Sequence, residues 1–220
     1  MRLVVAILVA ACATLCGPSA YARSKHRNAP APVAGQFDYY LLTLSWSPTY
    51  CKGHQEDKQQ CGMQKHFGFV LHGLWPQYQA GKYPQTCSTD NRLTDEARSV
   101  GEDVFPSEKL IAHEWDKHGT CSGLTAVDYF SAADEARRSV AIPDRFQPGN
   151  RVANLTANQI SAAFHQANPA ITSRSIAVVC GGPELSEVRV CLSRDLQPTS
   201  CGVGVRDACG NKPVRVRGVN

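Results

Sequence analysis

The chain has 220 residues, with 23 Lys and Arg against 19 Asp and Glu, ten Cys and a net charge of +4. Beyond its first 22 residues no segment approaches the roughly 20 consecutive apolar residues of a membrane helix, which excludes a helical membrane span. No C-x-x-C pair occurs, which argues against a zinc ribbon or a thioredoxin-like redox site, and the mild basic excess permits a polyanionic partner without requiring one.

The first residues, MRLVVAILVAACATLCGPSAYA, have the three-part layout of a secretory signal peptide: Arg2, an apolar run from Leu3 to Cys16, then small residues with cleavage expected after Ala22. A lipid anchor on Cys12 is the weaker alternative, because the apolar run before it is very short. Removal of residues 1–22 takes Arg2 away and leaves 22 basic against 19 acidic side chains, a net of about +3. The protein is therefore expected to be exported, to the periplasm or the extracellular space. Eight cysteines stay in the mature chain: Cys51, Cys61, Cys87, Cys121, Cys180, Cys191, Cys201 and Cys209. An even number in an exported protein argues for disulfides, whose pairing the count leaves open.

Residues 23–36 are basic and proline-rich and read as a flexible leader, with residues 37–220 as a single domain. FDYYLLTLSW reads as a strand that Ser47-Pro48 ends, followed by a loop closed by Cys51 and Cys61. FGFVL, residues 67–71, reads as a short buried strand that delivers His72-Gly73 at its end. Helix starts are legible at Leu93-Thr94-Asp95-Glu96 and at Pro106-Ser107-Glu108-Lys109, and further helices are expected over Asp128 to Val140 and Thr156 to Ala167. Two late strands, SIAVVC and EVRVCL, flank Gly181-Gly182-Pro183 and leave room for a hairpin-like return. Strands and helices without regular alternation imply an α+β fold. Lys212, Arg215 and Arg217 form a basic tail, read as a solvated terminus rather than a phosphate contact.

The segment IAHEWDKHGTC, residues 111–121, concentrates titratable groups. A zinc site of the H-E-x-x-H kind needs histidines one turn apart, but position 117 is Lys and the second histidine falls at 118. On a continuous helix His113 and His118 would diverge by roughly 140°, and Lys117 would stand beside the dication, so no metal is expected. A solvated helix face would account for Asp116 but not for Trp115 or the closing Gly119 and Cys121. The decisive companion is HFGFVLHGLWPQ, residues 66–77, with a histidine and a glycine at a strand end followed by Trp75 and Pro76.

Together HGLWP (72–76) and HEWDKHGTC (113–121) resemble the two signature segments of the ribonuclease T2 family, exported acid endoribonucleases with little base preference. The resemblance, which spans most of residues 37–210, implies a central antiparallel sheet flanked by helices and stabilised by disulfides. It implies an endoribonuclease acting on single-stranded RNA, with no cofactor, no metal and no obligate protein partner, hence a monomer. RNA carries its own nucleophile, the 2′-hydroxyl, beside the phosphodiester it attacks. The protein must supply a base, an acid and positive charge around the phosphorus, and histidine serves both proton roles near neutrality. By resemblance His72 and His118 are the acid/base pair, with His118 favoured as base and His72 as acid. His113 would bind phosphate, and Glu114 and Lys117 would support the transition state. The products would be a 2′,3′-cyclic phosphate and then a 3′-phosphate. Trp75 and Tyr83 match aromatic base-binding positions, whereas Gln77 departs from the acidic residue found in a number of relatives. The disulfides implied are Cys51 with Cys61, Cys87 with Cys121, Cys180 with Cys209, and Cys191 with Cys201. A storage or binding protein that keeps the fold without activity is the rival from another class, and a metalloprotease a distant third.

Overall fold

Strand β1, Tyr39–Trp46, sits inside a four-stranded antiparallel sheet of order β2-β1-β4-β3. The computed structural model describes residues 31–149 and 154–219; the expected signal peptide and residues 23–30 of the leader lie outside them. Tyr40, Leu42, Leu44 and Trp46 alternate into the main core, while Tyr39 and Leu41 join Cys191 in a smaller cluster on the opposite face. A strand with apolar neighbours on both faces loses the clean alternation of a half-exposed one, which is why YYLLTLSW reads as one run. Gly35 is already tied down two residues before Phe37, donating to the Cys121 carbonyl at 2.9 Å and accepting from Arg194 at 3.2 Å.

Ser47-Pro48 ends the strand by starting a helix. In α1, Ser47–Gly53, Pro48 lies in the first turn, where its missing N–H removes no intrahelical bond. A second short helix, α2 (Lys58–Cys61), is capped by the Asp57 carboxylate. The stretch expected as a loop between Cys51 and Cys61 is thus mostly helical. Strand β2 runs Phe69–Gln77, well past the expected end at Leu71, and includes Pro76. It is an edge strand, the place where a proline forfeits no ladder bond.

Helix α3, Asp95–Val104, is capped by Thr94, and Gly101 admits Ile111 of helix α4, Glu108–Lys117, where a Cβ would lie 2.7 Å from its Cγ2. Helix α5, Ala126–Ser139, begins two residues earlier than the pattern implies, because Thr125 accepts the Asp128 N–H. Helix α6, Ala157–Ala167, opens with a capping box between Thr156 and Gln159. Strands β3, Ile176–Gly181, and β4, Glu184–Leu192, form the hairpin, turning at Gly182 with φ +61°. Apolar residues of α3 to α6 share one cluster with the inward row of the sheet, so these helices cover a single face. The other face carries Trp75, Glu187 and Arg189.

The four disulfides join Cys51 to Cys61, Cys87 to Cys121, Cys180 to Cys209 and Cys191 to Cys201, the pairs that the resemblance implies. The basic tail is not a solvated terminus. Val214 and Val216 are buried, Val214 pairs with Leu155, and Arg215 exchanges backbone hydrogen bonds with Pro183 and Leu185. The alternation that buries the two valines leaves Arg215 and Arg217 facing away from the core.

Candidate active site

Strand β2 delivers the first histidine through a break in its ladder. Thr43 of β1 pairs with Gly73 and Leu44 with Leu71, which leaves His72 as the extra residue of a β-bulge. A bulge reverses the parity of side chains beyond it. Leu71 and Leu74, three apart, both enter the core, and His72 and Trp75, also three apart, share the other face. Gly73 follows because nothing larger fits: a Cβ there would stand 2.0 Å from Glu114 Oε2 and 2.2 Å from Trp75 Nε1.

Helix α4 and its end deliver the rest. Glu114 is fully buried and accepts the Trp75 indole N–H at 2.7 Å, while its other oxygen lies 3.9 Å from His72 Nε2. The regular helix stops at Lys117, and His118 begins a 3-10 turn, Gly119–Cys121, at φ −117°. Gly119 is required where Trp115 and Tyr129 crowd the backbone, since a Cβ would lie 2.4 and 2.8 Å from their rings. Released from the helix, the His118 ring stacks on Trp75 at 4.9 Å and 20°. The His72 ring meets the same indole edge-on at 5.0 Å. One tryptophan therefore holds both imidazoles and, through its N–H, the carboxylate.

Tyr83 comes from the loop after β2. Thr86 donates to the Lys117 carbonyl, Cys87 donates to Thr120 Oγ1, and the Cys87–Cys121 bridge ties the loop to the end of α4. Its ring, 42% exposed, lies 5.7 Å from that of His118 and 6.0 Å from Lys117 Nζ. His113 is exposed on α4, its ring 6.4 Å from that of His118. Gln77, at the far end of β2, is buried. Beside His72 and His113 a cavity of about 210 Å³ opens, lined also by Tyr50, Val70, Leu110 and Gln60.

The two imidazoles, His118 buried and His72 partly so, are biased in opposite directions. Burial pulls the His118 pKa down from 6.5 to about 3, helped by the positive charges of Lys117, His113 and His72. Burial also pulls His72 down, but the Glu187 hydrogen bond and the charges of Glu114 and Glu187 outweigh it, so its pKa is raised. Glu114 is lifted from 4.5 to about 7, chiefly by burial, against the opposing pull of His72 and Trp75. Partial desolvation against the site and the charge of Lys117 lower His113. Among the described residues, Glu114 Oε1 and His118 Nδ1 are buried without a hydrogen-bond partner in the protein.

The profile of the Ribonuclease T2 family matches residues 37–201. The chain belongs to the ribonuclease T2 family. A ribonuclease of Aeromonas hydrophila is 47% identical over 120 residues, 54% of this chain and 54% of that protein. A probable ribonuclease of Haemophilus influenzae is 29% identical over 189 residues, 80% of this chain and 63% of its own length. The chain thus spans about half to two thirds of these curated relatives. Ribonuclease MC1 from the seeds of bitter gourd shares the fold, with a TM-score of 0.62 at 22% identity over 81% of this chain and 100% of that one. An RNase-related protein from Calystegia sepium does so at 0.64 and 24%, over 83% and 97%.

Two residues of this T2 chain that sequence reasoning passed over belong to the same cluster. Glu187 on β4 pairs with His72 Nδ1 at 2.8 Å and is itself gripped by Arg189, whose guanidinium lies 5.5 Å from the Trp75 ring. β1 separates β2 from β4, so His72 and Glu187 start about 10 Å apart, two strand spacings. Their side chains meet above Thr43 and Ser45, whose small side chains leave the room. The available signal was two charges at alternate positions of an otherwise apolar strand, EVRVCL.

His118 lies outside the helix, so the divergence expected of a continuous helix does not keep it from His113. One ligand atom each from His113, Glu114 and His118 fall within 4.8 Å of one another. Tetrahedral zinc with bonds of about 2.1 Å needs ligand atoms about 3.4 Å apart. Glu114 is already committed to Trp75, and Lys117 adds like charge, so these three residues are a looser set than a built zinc site.

Proposed function

We propose that this protein is an endoribonuclease that cleaves single-stranded RNA by metal-independent transesterification. The observation that carries this reading is the pair of histidines on one indole, with burial lowering the pKa of His118 and carboxylates on two sides raising that of His72. His118 removes the proton of the 2′-hydroxyl, and the 2′-oxygen attacks phosphorus. The bond to the 5′-oxygen breaks, and His72 gives that oxygen its proton from Nε2, since Nδ1 is engaged by Glu187. Water then opens the 2′,3′-cyclic phosphate with the roles exchanged, leaving a 3′-phosphate. Lys117 supplies positive charge and His113 a donor to the phosphoryl oxygens, and Glu114 orients the pair through Trp75, whose indole N–H it accepts. Trp75 is engaged by His118, His72 and Glu114, so it serves the catalytic frame, and the more exposed Tyr83 is the residue that stacks a base.

The disulfides and the family support export, to the periplasm or beyond the cell, with residues 1–22 removed and residues 37–220 acting as one monomeric domain with low base specificity. Incubation of the purified protein with single-stranded RNA and excess strong chelator is the test. The expected result is undiminished cleavage with 2′,3′-cyclic phosphate ends appearing first, and no cleavage of the matching DNA. Inert RNA in both the presence and absence of added divalent metal would overturn the enzymatic reading, and activity abolished by the chelator alone would overturn the metal-independent one.

A further inference from the structure

The docked tail builds a second charged concavity. A cavity of about 650 Å³ lies between the α1–α2 segment and residues 215–219. Lys52 of α1 and Lys65 line one wall, and Arg215 and Arg217 the other. Behind them stands one carboxylate, Glu184, which takes a forked pair of hydrogen bonds from Arg217 at 2.9 and 2.7 Å. The same Oε1 is also approached by Lys52 at 3.6 Å and Arg215 at 3.9 Å. Three cations share one negative charge, and Lys65 adds a fourth, so the cluster carries a surplus of three positive charges. Among the described residues no acidic side chain lines the cavity. Lys52 and Arg215 remain 60% and 66% exposed, so neither is consumed by its ion pair. Cations held on facing walls of a concave surface concentrate a positive potential that draws polyanions.

We propose that this cavity is a phosphate-binding subsite for the RNA strand downstream of the scissile bond. The assignment rests on the nuclease reading, with His72 as the acid. His72 protonates the leaving 5′-oxygen, so the strand on its side of the cut is the 3′ portion. The cavity beside His72 and His113 shares Gln60 with the basic cavity. Gln60 is buried and fixed by donating to Ser47 Oγ at 2.8 Å, so it forms a rigid sill from one to the other. A strand leaving the histidines across that sill meets Lys52, Lys65 and Arg215 with its next phosphates. The Cys51–Cys61 bridge and the pairing of Arg215 with Pro183 and Leu185 hold both walls before RNA arrives.

The test uses DNA oligonucleotides with one ribonucleotide, which fix the cleavage point, extended on either the upstream or the downstream side. The variant carries Lys52→Gln, Lys65→Gln and Arg215→Gln, leaving Arg217 and Glu184 intact, and its melting curve checks folding. In the wild type, downstream extension should raise kcat/KM and upstream extension should not. The variant should lose about tenfold on the downstream series at low salt and keep its rate on a dinucleotide. Its salt dependence should be shallower by about 0.7 for each phosphate that is no longer neutralised. Equal losses on both series, no loss on either, or a slower dinucleotide would overturn the proposal. Fluorescence anisotropy with an all-deoxy oligonucleotide separates the two readings. A wild type that cuts no RNA, with binding that the variant loses, would sink the nuclease reading and its directionality while keeping a nucleic-acid site. Oligonucleotide affinity unchanged in the variant, with loss of binding to inorganic phosphate or to anionic phospholipid vesicles, would reassign the cavity to a free anion or a lipid surface.

Discussion

His72 and His118 have the same side chain and opposite tasks, and their surroundings make the difference. Carboxylates on two sides raise His72, while burial beside cations lowers His118. Replacing either with alanine should cost about 10²- to 10⁴-fold in kcat/KM on RNA, measured under conditions where the variant's circular dichroism matches that of the wild type. Glu187→Gln keeps an acceptor for His72 Nδ1 but removes the charge. The acid must be protonated, and its raised pKa sets where activity falls as pH rises. The substitution should therefore move the alkaline limb of the kcat/KM profile to lower pH, and an unmoved limb with a reduced kcat would give Glu187 a structural role only. Sequence marked the two imidazoles and the Glu114-Lys117 pair through two dense motifs. It did not mark Glu187 or Arg189, because their partner lies two strands away across Thr43 and Ser45, a relation that no local pattern encodes.

The element that sets the site is β2, with its bulge at His72, together with the loop that Cys87 and Cys121 pin to α4. Breaking that bridge with Cys87→Ser and Cys121→Ser should destabilise by about 2 to 4 kcal/mol, a fall in Tm on the order of 10 °C, read by thermal melts. The same variant should raise KM more than it lowers kcat, since the tether positions Tyr83 while His72 stays on the sheet. Gly73→Ala places a methyl group against Glu114 and Trp75 and should abolish cleavage while the disulfide-bridged helices persist by circular dichroism. Strand β1 and helices α3 and α6 were legible from periodicity and caps such as Thr94 and Thr156. The bulge was not, because parity along β2 depends on its pairing with β1. The convergence of His113 and His118 was hidden for a similar reason: His118 lies one residue past the end of the helix, where helical spacing no longer holds.

Across the molecule, the titrating groups of the site favour a mildly acidic optimum of stability. Glu114, raised from 4.5 to about 7, costs stability as pH climbs through that interval, because the unfolded chain releases a proton that the folded one retains. His118, lowered from 6.5 to about 3, costs stability as pH falls through its interval, because only the unfolded chain takes up the proton. His72, raised, stabilises below 6.5 and loses this as pH rises through its folded pKa; Glu187, lowered, stabilises above 4.5 and loses this as pH falls through its folded pKa. Tm should therefore be level between about pH 4.5 and 6.5 and decline on both sides, and a Tm still climbing through pH 8 would contradict the assignment. The α+β class and the antiparallel sheet followed from the order of elements and the family likeness, but the docking of the basic tail did not, since only Val214 and Val216 signal it. The sheet also divides labour between its sides, with α3, α5 and α6 packed on one and His72, Trp75 and Glu187 on the other, while α4 serves both through Ile111 and Trp115 in the core and Glu114 and Lys117 at the site. Adaptation to heat or to a new compartment could therefore proceed by refilling the contacts of α3, α5 and α6 while the turnover chemistry on β2 and α4 stays untouched, so the two traits are free to evolve at different speeds.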